Sequence, residues 1–409
     1  MLGEPSTAII SNNLVFVNAS MNAMDQTPGT FGMLVDTGSP VVLIDPTLFN
    51  TPPPTTDGQI ATKVNLGLLD AGGNPVVIIE HAPVLQVSNA MMDGLGFGGI
   101  LGGSVMHQFS VQLDYSAPMM EGFCLGCTAG GRSDVLPDNV VPFSLKGGGN
   151  ADVTLGTDSM GRPINSPAVN IPPTRIEVTV VIDGAPHTCI VDSGATEVSL
   201  RSTVYAALIT DGRAQLSGGI AIMTIAGASG AAVTRAKSIS VGPASVADVP
   251  VMTIMSDDPS HPDPLLSSIS TEIGTQVDCL LGGSFLRNFL VTIDYPGAEL
   301  HLEPYATLPV PDEFRRIGIT IGLDATATHF VVASVYPNTD AAKQGIMVND
   351  EVVSVDGTSL VSVQYVGAAD QLLDGVPGTT KMLTFGTTKN PANSGQTLTV
   401  VVDDLIPNP

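Results

Sequence analysis

The sequence predicts a mainly β protein, built as two related β-rich lobes followed by a small α+β module. Three observations lead there. Val, Ile and Thr recur in short runs bounded by Gly, Pro, Asn or Asp, which is the text of strands joined by turns. Two linked sequence elements occur in the same order in each of two consecutive stretches. After Tyr305 a Pro-punctuated linker, LPVPDE, introduces text of a different kind.

Composition sets the outer bounds. At 409 residues the chain exceeds one ordinary core, and two to three domains are expected. Hydrophobic residues make up 43%, enough to fold without metals or staples, while 44 Gly, 31 Pro and no Trp favour strands and turns. Only 15 Lys and Arg stand against 39 Asp and Glu, a net charge of −24. A nucleic-acid binder needs clustered basic surface, and an anionic membrane would repel this one. No apolar run approaches the ~20 residues that span a bilayer. The opening MLGEPSTAII shows no secretory signal; a secreted or periplasmic location, with the signal segment absent from this sequence, is the expectation. The acid excess serves solubility, and its sharper reading is adaptation to acidic surroundings with activity at low pH.

The repeated elements come next. The first copy begins Gly32-Met33-Leu34-Val35-Asp36-Thr37-Gly38-Ser39 and continues into VVLID; the second begins Cys189-Ile190-Val191-Asp192-Ser193-Gly194-Ala195 and continues into EVSLR. Downstream stand Ile100-Leu101-Gly102-Gly103-Ser104, then FSVQLDY to Tyr115, and Leu280-Leu281-Gly282-Gly283-Ser284, then FLVTIDY to Tyr295. Between the copies a Gly/Pro/Ser-rich stretch, roughly 116 to 172, reads as a connection with little regular structure. The expected division is a first lobe at 1–140, a connection at 141–172, a second lobe at 173–306 and the α+β module at 314–409.

An Asp followed by a small hydroxyl residue and Gly suits a sharply turned loop at a strand end. Gly permits close backbone approach, and the hydroxyl can bond neighbouring backbone and hold the loop rigid. One isolated Asp-Thr-Gly is ordinarily just a turn. Two, each inside the same larger repeat, reverse that reading. Brought together across a pseudo-twofold axis, the loops would put two carboxylates in contact, and like charges that close share a proton and titrate in two separated steps. One can then act as base on a water while its protonated partner polarises a carbonyl.

With DTGS and DSGAT, each followed by an apolar-Leu-Gly-Gly element and a strand ending in Asp-Tyr, the chain resembles the pepsin and retropepsin-like aspartic proteases over about residues 14 to 304. The resemblance implies two duplicated β lobes forming a pseudo-twofold catalytic unit, with Asp36 and Asp192 as the catalytic dyad that binds the attacking water. Thr37 and Ser193 would grip across the two loops, Gly38 and Gly194 would complete the turns, Ser39 and Ala195 would support them, and Leu101-Gly102 and Leu281-Gly282 would pack beneath. The implied reaction is hydrolysis of an extended polypeptide with apolar side chains in its subsites, without metal, cofactor or covalent intermediate. One chain supplies both carboxylates, so a dimer is not required for catalysis. Pepsin-like enzymes close a flap carrying a tyrosine, and no matching Tyr lies between the two elements of the first half. The flap candidates are Asp70-Ala71-Gly72-Gly73-Asn74 and Ala226-Gly227-Ala228-Ser229-Gly230. Two flaps would be more like retropepsins, with single-flap closure as the alternative.

Two rival functions use the same features. A peptide-binding or scaffold protein could keep the fold without the activity; loss of either Asp would signal it, and both are present. The actin/hexokinase-like phosphotransferases also set paired Asp-x-Gly loops on duplicated halves, around ATP phosphates and Mg²⁺. Those folds alternate strands with long helices, and the Leu-Gly-Gly…Asp-Tyr repeat has no role in them.

Residues 314 to 409, with Arg316-Ile317-Gly318-Ile319-Thr320-Ile321-Gly322 and VVASVYPNTDAAKQGIMVNDEVVSVDGTSL, resemble a bacterial-type PDZ domain. Such a domain adds an extended peptide to a sheet edge and captures its terminal carboxylate on backbone N–H groups. By resemblance that loop is Ile317, Gly318, Ile319 and Thr320, the groove helix lies near Gln364 to Leu373, and a C-terminal peptide with an apolar last residue is the expected ligand. A groove that is blocked or merely packs on the lobes is the alternative.

Cys124 and Cys127 form half of a zinc pattern that no second pair or His cluster completes, so a tight disulfide or two free thiols is expected and no metal. In the family fold the strands carrying Cys189 and Cys279 run side by side, which makes these two near neighbours, as buried thiols or as a bridge.

Overall fold

Strand text becomes strand where it alternates. In Arg175–Ile182, Ile176, Val178, Val180 and Ile182 are buried and the residues between them lie nearer the surface, the period of two of a half-covered strand. The run into the second Asp loop does not alternate, because both its faces are covered: Cys189, Ile190 and Val191 are all buried. A computed structural model describes residues 5–6, 8–11, 13–23, 29–45, 61–70, 72–86, 97–116, 122–127, 139–151, 154–157, 163–165, 169–224, 227–256, 258, 260–307, 312–324, 328–363 and 366–406, and the chain is mainly β.

In the first half, β1 (Ala8–Ser11), β2 (Leu14–Ala23), β3 (Gly29–Val35), β4 (Val42–Ile44), β5 (Ala61–Leu69), β6 (Pro75–Gln86) and β7 (Gly99–Leu101) form one sheet. Its order is β1-β2-β3-β7-β4-β6-β5, with β2 also pairing β5. In the second half, β8 (Ser144–Lys146), β9 (Arg175–Ile182), β10 (Ala185–Val191), β11 (Val198–Leu200), β12 (Leu216–Thr224), β13 (Gly227–Val241), β14 (Ala244–Ile254) and β15 (Cys279–Leu281) form another. Its order is β8-β9-β10-β15-β11-β14-β13-β12, with β9 also pairing β13. The neighbours match strand for strand. In each, the strand entering the Asp loop runs parallel to the Leu-Gly-Gly strand, Leu34 beside Ile100 and Ile190 beside Leu280. The strand leaving the loop pairs antiparallel to it, Leu43 with Ile100 and Ser199 with Leu280.

A third sheet takes strands from both halves, in the order Pro5–Ser6, Phe123–Leu125, Ser110–Asp114, Phe289–Asp294, Glu299–Pro304, Asn139–Pro142. At its centre the two Asp-Tyr strands run head to tail, with Asp114 beside Leu290, Gln112 beside Thr292 and Ser110 beside Asp294. Gln112 Nε2 donates to Thr292 Oγ1 at 3.0 Å in the middle pair. One apolar core runs through both halves and includes Val35, Leu101, Tyr115, Val191, Leu281 and Tyr295; burying each such side chain contributes about 1.5–3 kcal/mol.

The stretch expected to have little regular structure has short ladders instead. Gly149–Ala151 pairs with Val169–Ile171, and Thr154–Thr157 with Pro163–Asn165. Phe123–Leu125 joins the shared sheet, and Asn139–Pro142 and β8 are sheet edges that pair with Glu299–Pro304 and β9. Gly and Pro interrupt strands, but a two-stranded ladder needs only a few consecutive extended residues.

The C-terminal module has its own core, including Ile317, Ile319, Val332, Ile346, Leu373, Leu383 and Phe385. Ile319–Leu323 pairs with Phe330–Val335; a second sheet runs Thr358–Ser359, Val352–Val355, Thr380–Phe385, Thr397–Val401. Thr339 caps helix Asp340–Lys343 by accepting from the Ala342 N–H, and Gly345 stops it at φ 74°. The module docks on the second half. Phe314 and Ile406 pack with Ala231, Val233 and Met252. Arg235 pairs with Asp312 at 2.7 Å and donates to the Ile406 carbonyl at 2.9 Å, while Arg287 pairs with Glu313. Among the described residues no helix is long and apolar enough to cross a membrane.

Candidate active site

Each Asp loop hangs from the Leu-Gly-Gly strand beside it. The Asp36 N–H donates to the Leu101 carbonyl and the Asp192 N–H to the Leu281 carbonyl, both at 3.1 Å. Gly103 N–H then donates to Ser39 and Gly283 N–H to Ala195, each carbonyl accepting at 2.8 Å. Only glycine fits at the turn between: a Cβ on Gly102 would stand 2.0 Å from the Val41 carbonyl oxygen, and one on Gly282 would stand 2.1 Å from that of Glu197.

The two loops are clasped to each other. Thr37 Oγ1 donates to the Val191 carbonyl at 2.9 Å and accepts from the Ser193 N–H at 3.0 Å. Ser193 Oγ donates to the Val35 carbonyl at 2.8 Å and accepts from the Thr37 N–H at 3.1 Å. Both hydroxyls are buried, so all four bonds form in a dry setting where an unmade one would cost about 1–3 kcal/mol.

This clasp forces the carboxyls together. A Cβ on Gly38 would lie 2.5 Å from Asp192 Cγ, and one on Gly194 2.4 Å from Asp36 Cγ, so each acid rests on the other loop's glycine. The two side chains are hydrogen-bonded to one another. Each also accepts from its own loop, Asp36 Oδ1 from the Ser39 N–H and Asp192 Oδ1 from the Gly194 N–H, both at 2.9 Å. Burial is the main cause that holds both carboxyls above the usual carboxylate range, and the neighbouring Asp192 charge lifts Asp36 well above it. Loop N–H groups and the Arg175 guanidinium pull both the other way. Two acids so joined can present one ionised and one protonated oxygen to the same small molecule.

Of the residues expected here, Asp36, Thr37, Gly38, Ser39, Asp192, Ser193, Gly194 and Ala195 come together. Four others had no assigned part. Tyr115 and Tyr295 lie buried close enough to the pair to feel it, Tyr115 under the charge of Asp192 and Tyr295 under that of Asp36. Arg175 donates to the Gly38 carbonyl. Glu197, two residues past Ala195, is half-buried and pushed up to about 7 by burial and then by Glu313.

The two flap candidates occupy different places. Asp70 to Asn74 closes the β5–β6 hairpin, where Asp70 Oδ1 accepts from the Gly72 and Asn74 N–H groups at 2.8 Å; Ala71 lies outside the described residues. By strand order that hairpin corresponds to β13–β14, turning at Gly242-Pro243. Gly227 and Ser229 belong instead to the β12–β13 hairpin, with Thr224 beside Gly227 and Ile222 beside Ser229; 225–226 lie outside the described residues. Gly72 and Gly73 are therefore not the counterparts of Gly227 and Ser229.

In the C-terminal module, donors at the start of and just beyond the expected carboxylate loop are already engaged. Ile317 and Ile319 are buried, and the Ile317 N–H donates to the Leu373 carbonyl at 3.1 Å. Just beyond Thr320, the Ile321 N–H donates to Asp370 Oδ1 at 2.8 Å. Asp370 lies on the expected groove helix, Val366–Gln371, and pairs at 2.6 Å with Arg316, which also holds Asp374. Cys124–Cys127 and Cys189–Cys279 are both disulfides.

No curated protein matches this chain. Among solved structures it is similar to a photosystem II D1 C-terminal processing protease, 25% identical over 23% of this chain and 24% of that one, with a TM-score of 0.21. The chain thus spans about a quarter of that structure's length, and so low a score says nothing more of its fold. Residues 178–285, which include the Asp192 loop and the second Leu-Gly-Gly element, match the aspartyl protease family, and residues 309–384 match the PDZ domain family. The chain therefore carries an aspartyl protease domain followed by a C-terminal PDZ domain.

Proposed function

We propose that this chain is an aspartic endopeptidase, with Asp36 and Asp192 as its catalytic dyad. The reciprocal Thr37–Ser193 clasp carries the reading, because it joins two acids from distant parts of the chain into one proton-sharing pair. One acid of the pair holds the shared proton and the other acts as base. The ionised acid takes a proton from water as its oxygen bonds to the peptide carbon, and the protonated acid gives its proton to the carbonyl oxygen. The proton taken from water then passes to the leaving nitrogen, the C–N bond breaks, and a hydroxyl proton returns to the acid that gave one up.

The matching strand order supports a pepsin/retropepsin-like unit formed by internal duplication, with lobes at 1–140 and 173–306, a connection at 141–172 and the PDZ-like domain at 314–409. In this reading the PDZ-like domain positions polypeptide substrate, and the β12–β13 hairpin is the flap of the second half.

The test is digestion of an unfolded protein between about pH 3 and 8, wild type beside Asp36→Asn and Asp192→Asn. Each variant should lose more than about a thousandfold in kcat/KM while keeping wild-type circular dichroism. A kcat/KM that stays within about tenfold of wild type in either variant rejects the dyad.

A further inference from the structure

One charged side chain outside the two loops reaches the Gly38 loop and acts on both acids through its charge. Arg175 opens β9 in the second half, and its side chain is only 11% exposed. Its Nη1 donates to the carbonyl of Gly38, in the loop of the first half. Its Nε and Nη2 form a two-pronged bond to Glu272 on helix Pro264–Ile273, at 3.1 and 2.9 Å. A fork held on two sides cannot rotate, so the guanidinium plane is fixed. Gly38 in turn lies directly on the Asp192 carboxyl.

We propose that Arg175 is a positioning residue for the Asp36–Asp192 pair, holding the Gly38 peptide against Asp192 from the opposite half and setting a fixed cation beside both acids. The consequence for rate rests on reading the pair as a catalytic dyad; the consequence for ionisation does not.

The groups that face the pair are few. Arg175 approaches from β9 with Glu272 behind it, and the Tyr115 and Tyr295 phenols approach from the ends of the shared sheet. Burial raises both phenols, so they stay neutral over any working pH. Arg287 acts on Tyr115. Among the described groups that act on the two acids, Arg175 is thus the permanent cation, and its charge favours their ionised forms. Removing it should raise both of the pair's midpoints.

The experiment is a ¹³C-carboxyl NMR titration of Asp-labelled protein, with Asp36→Asn and Asp192→Asn assigning the signals, run beside the pH profile of kcat/KM. In Arg175→Gln both midpoints should rise by roughly one pH unit, and both limbs of the rate profile should move up with them. Arg175→Lys keeps the charge and loses the fork: its midpoints should stay near wild type while kcat drops roughly tenfold. Unchanged midpoints in Arg175→Gln would overturn the proposal, as would a wild-type kcat in Arg175→Lys, which also serves if the glutamine variant does not fold. Midpoints that move in a protein that never cleaves would leave the positioning role standing and reject the dyad's function. Cleavage by wild type with unmoved midpoints would do the reverse.

Discussion

The two halves of the aspartyl-protease-like unit solve the same problem with different residues. Where β3 meets β7, Met33 stands beside Gly99; at the corresponding place, where β10 meets β15, Cys189 stands beside Cys279. In the first half a Cβ on Gly99 would come within 2.7 Å of the Leu43 carbonyl oxygen and 3.2 Å of Met33 Cε, so one large side chain fills the site and its partner has none. In the second half two medium side chains are joined by a bond. Beyond the loops, Val41 in the first half corresponds to Glu197 in the second, both beneath a Leu-Gly-Gly turn. The approach to each unit is alike in shape: Thr174 lies against Gly103 and Asn13 against Gly283, yet only the second half follows with an arginine. The Asp loops and the turns beneath them are kept alike, and the residues packed around them have diverged. The asymmetry is useful chemically, because identical surroundings would not favour the proton on one acid over the other.

The largest difference to test is at the strand junctions. Cys189→Ala with Cys279→Ala opens a closure of 90 residues and should cost about 3–4 kcal/mol in denaturant unfolding. Met33→Ala, its counterpart, should cost about 2–4 kcal/mol, through a cavity and not through the unfolded chain. If reducing agent weakens both variants equally, the bridge does not account for the second half's stability. At the clasp the halves should behave as equals. Thr37→Val and Ser193→Ala should each cost about 1–3 kcal/mol, and the double variant should cost less than their sum because they share partners. Strict additivity would mean that the loops are held by something else.

A third difference is in pH dependence. Glu197 ionises near its ordinary 4.5 in the unfolded chain and near 7 in the folded one. Between those values the unfolded state binds fewer protons, so stability is full below about 4.5 and falls as pH rises to about 7. Asp374, raised by burial to about 7, adds a slope of the same sign. Glu197→Gln should flatten the fall measured by thermal melts from pH 4 to 8, and Val41→Gln should leave its slope unchanged.

Much of this was legible in the sequence. Both Asp loops, both Leu-Gly-Gly turns and the Asp-Tyr strands are local patterns repeated in order, and local patterns survive being read along a chain. Arg175 was not legible, because its partners Gly38 and Glu272 are 137 and 97 residues away and nothing beside it in RIEVTVVI marks it. The first flap candidate misled for a related reason: Gly-rich turns announce themselves, but which hairpin a turn closes depends on strand pairing. In the PDZ domain a helix, Val366–Gln371, falls within the expected Gln364 to Leu373, yet the donor on Ile321 is taken by Asp370, 49 residues on.

The head-to-tail pairing of Ser110–Asp114 with Phe289–Asp294 also governs when the molecule becomes whole during synthesis. Asp36 leaves the ribosome long before Asp192, and the edge of Ser110–Asp114 that faces the second half stays open until Phe289–Asp294 is made. Contacts that distant form late and slowly. The nascent first half therefore carries a lone acid and an open strand edge, and the carboxyl pair is completed only once the second Asp loop and the Cys279–Leu281 strand that holds it have followed.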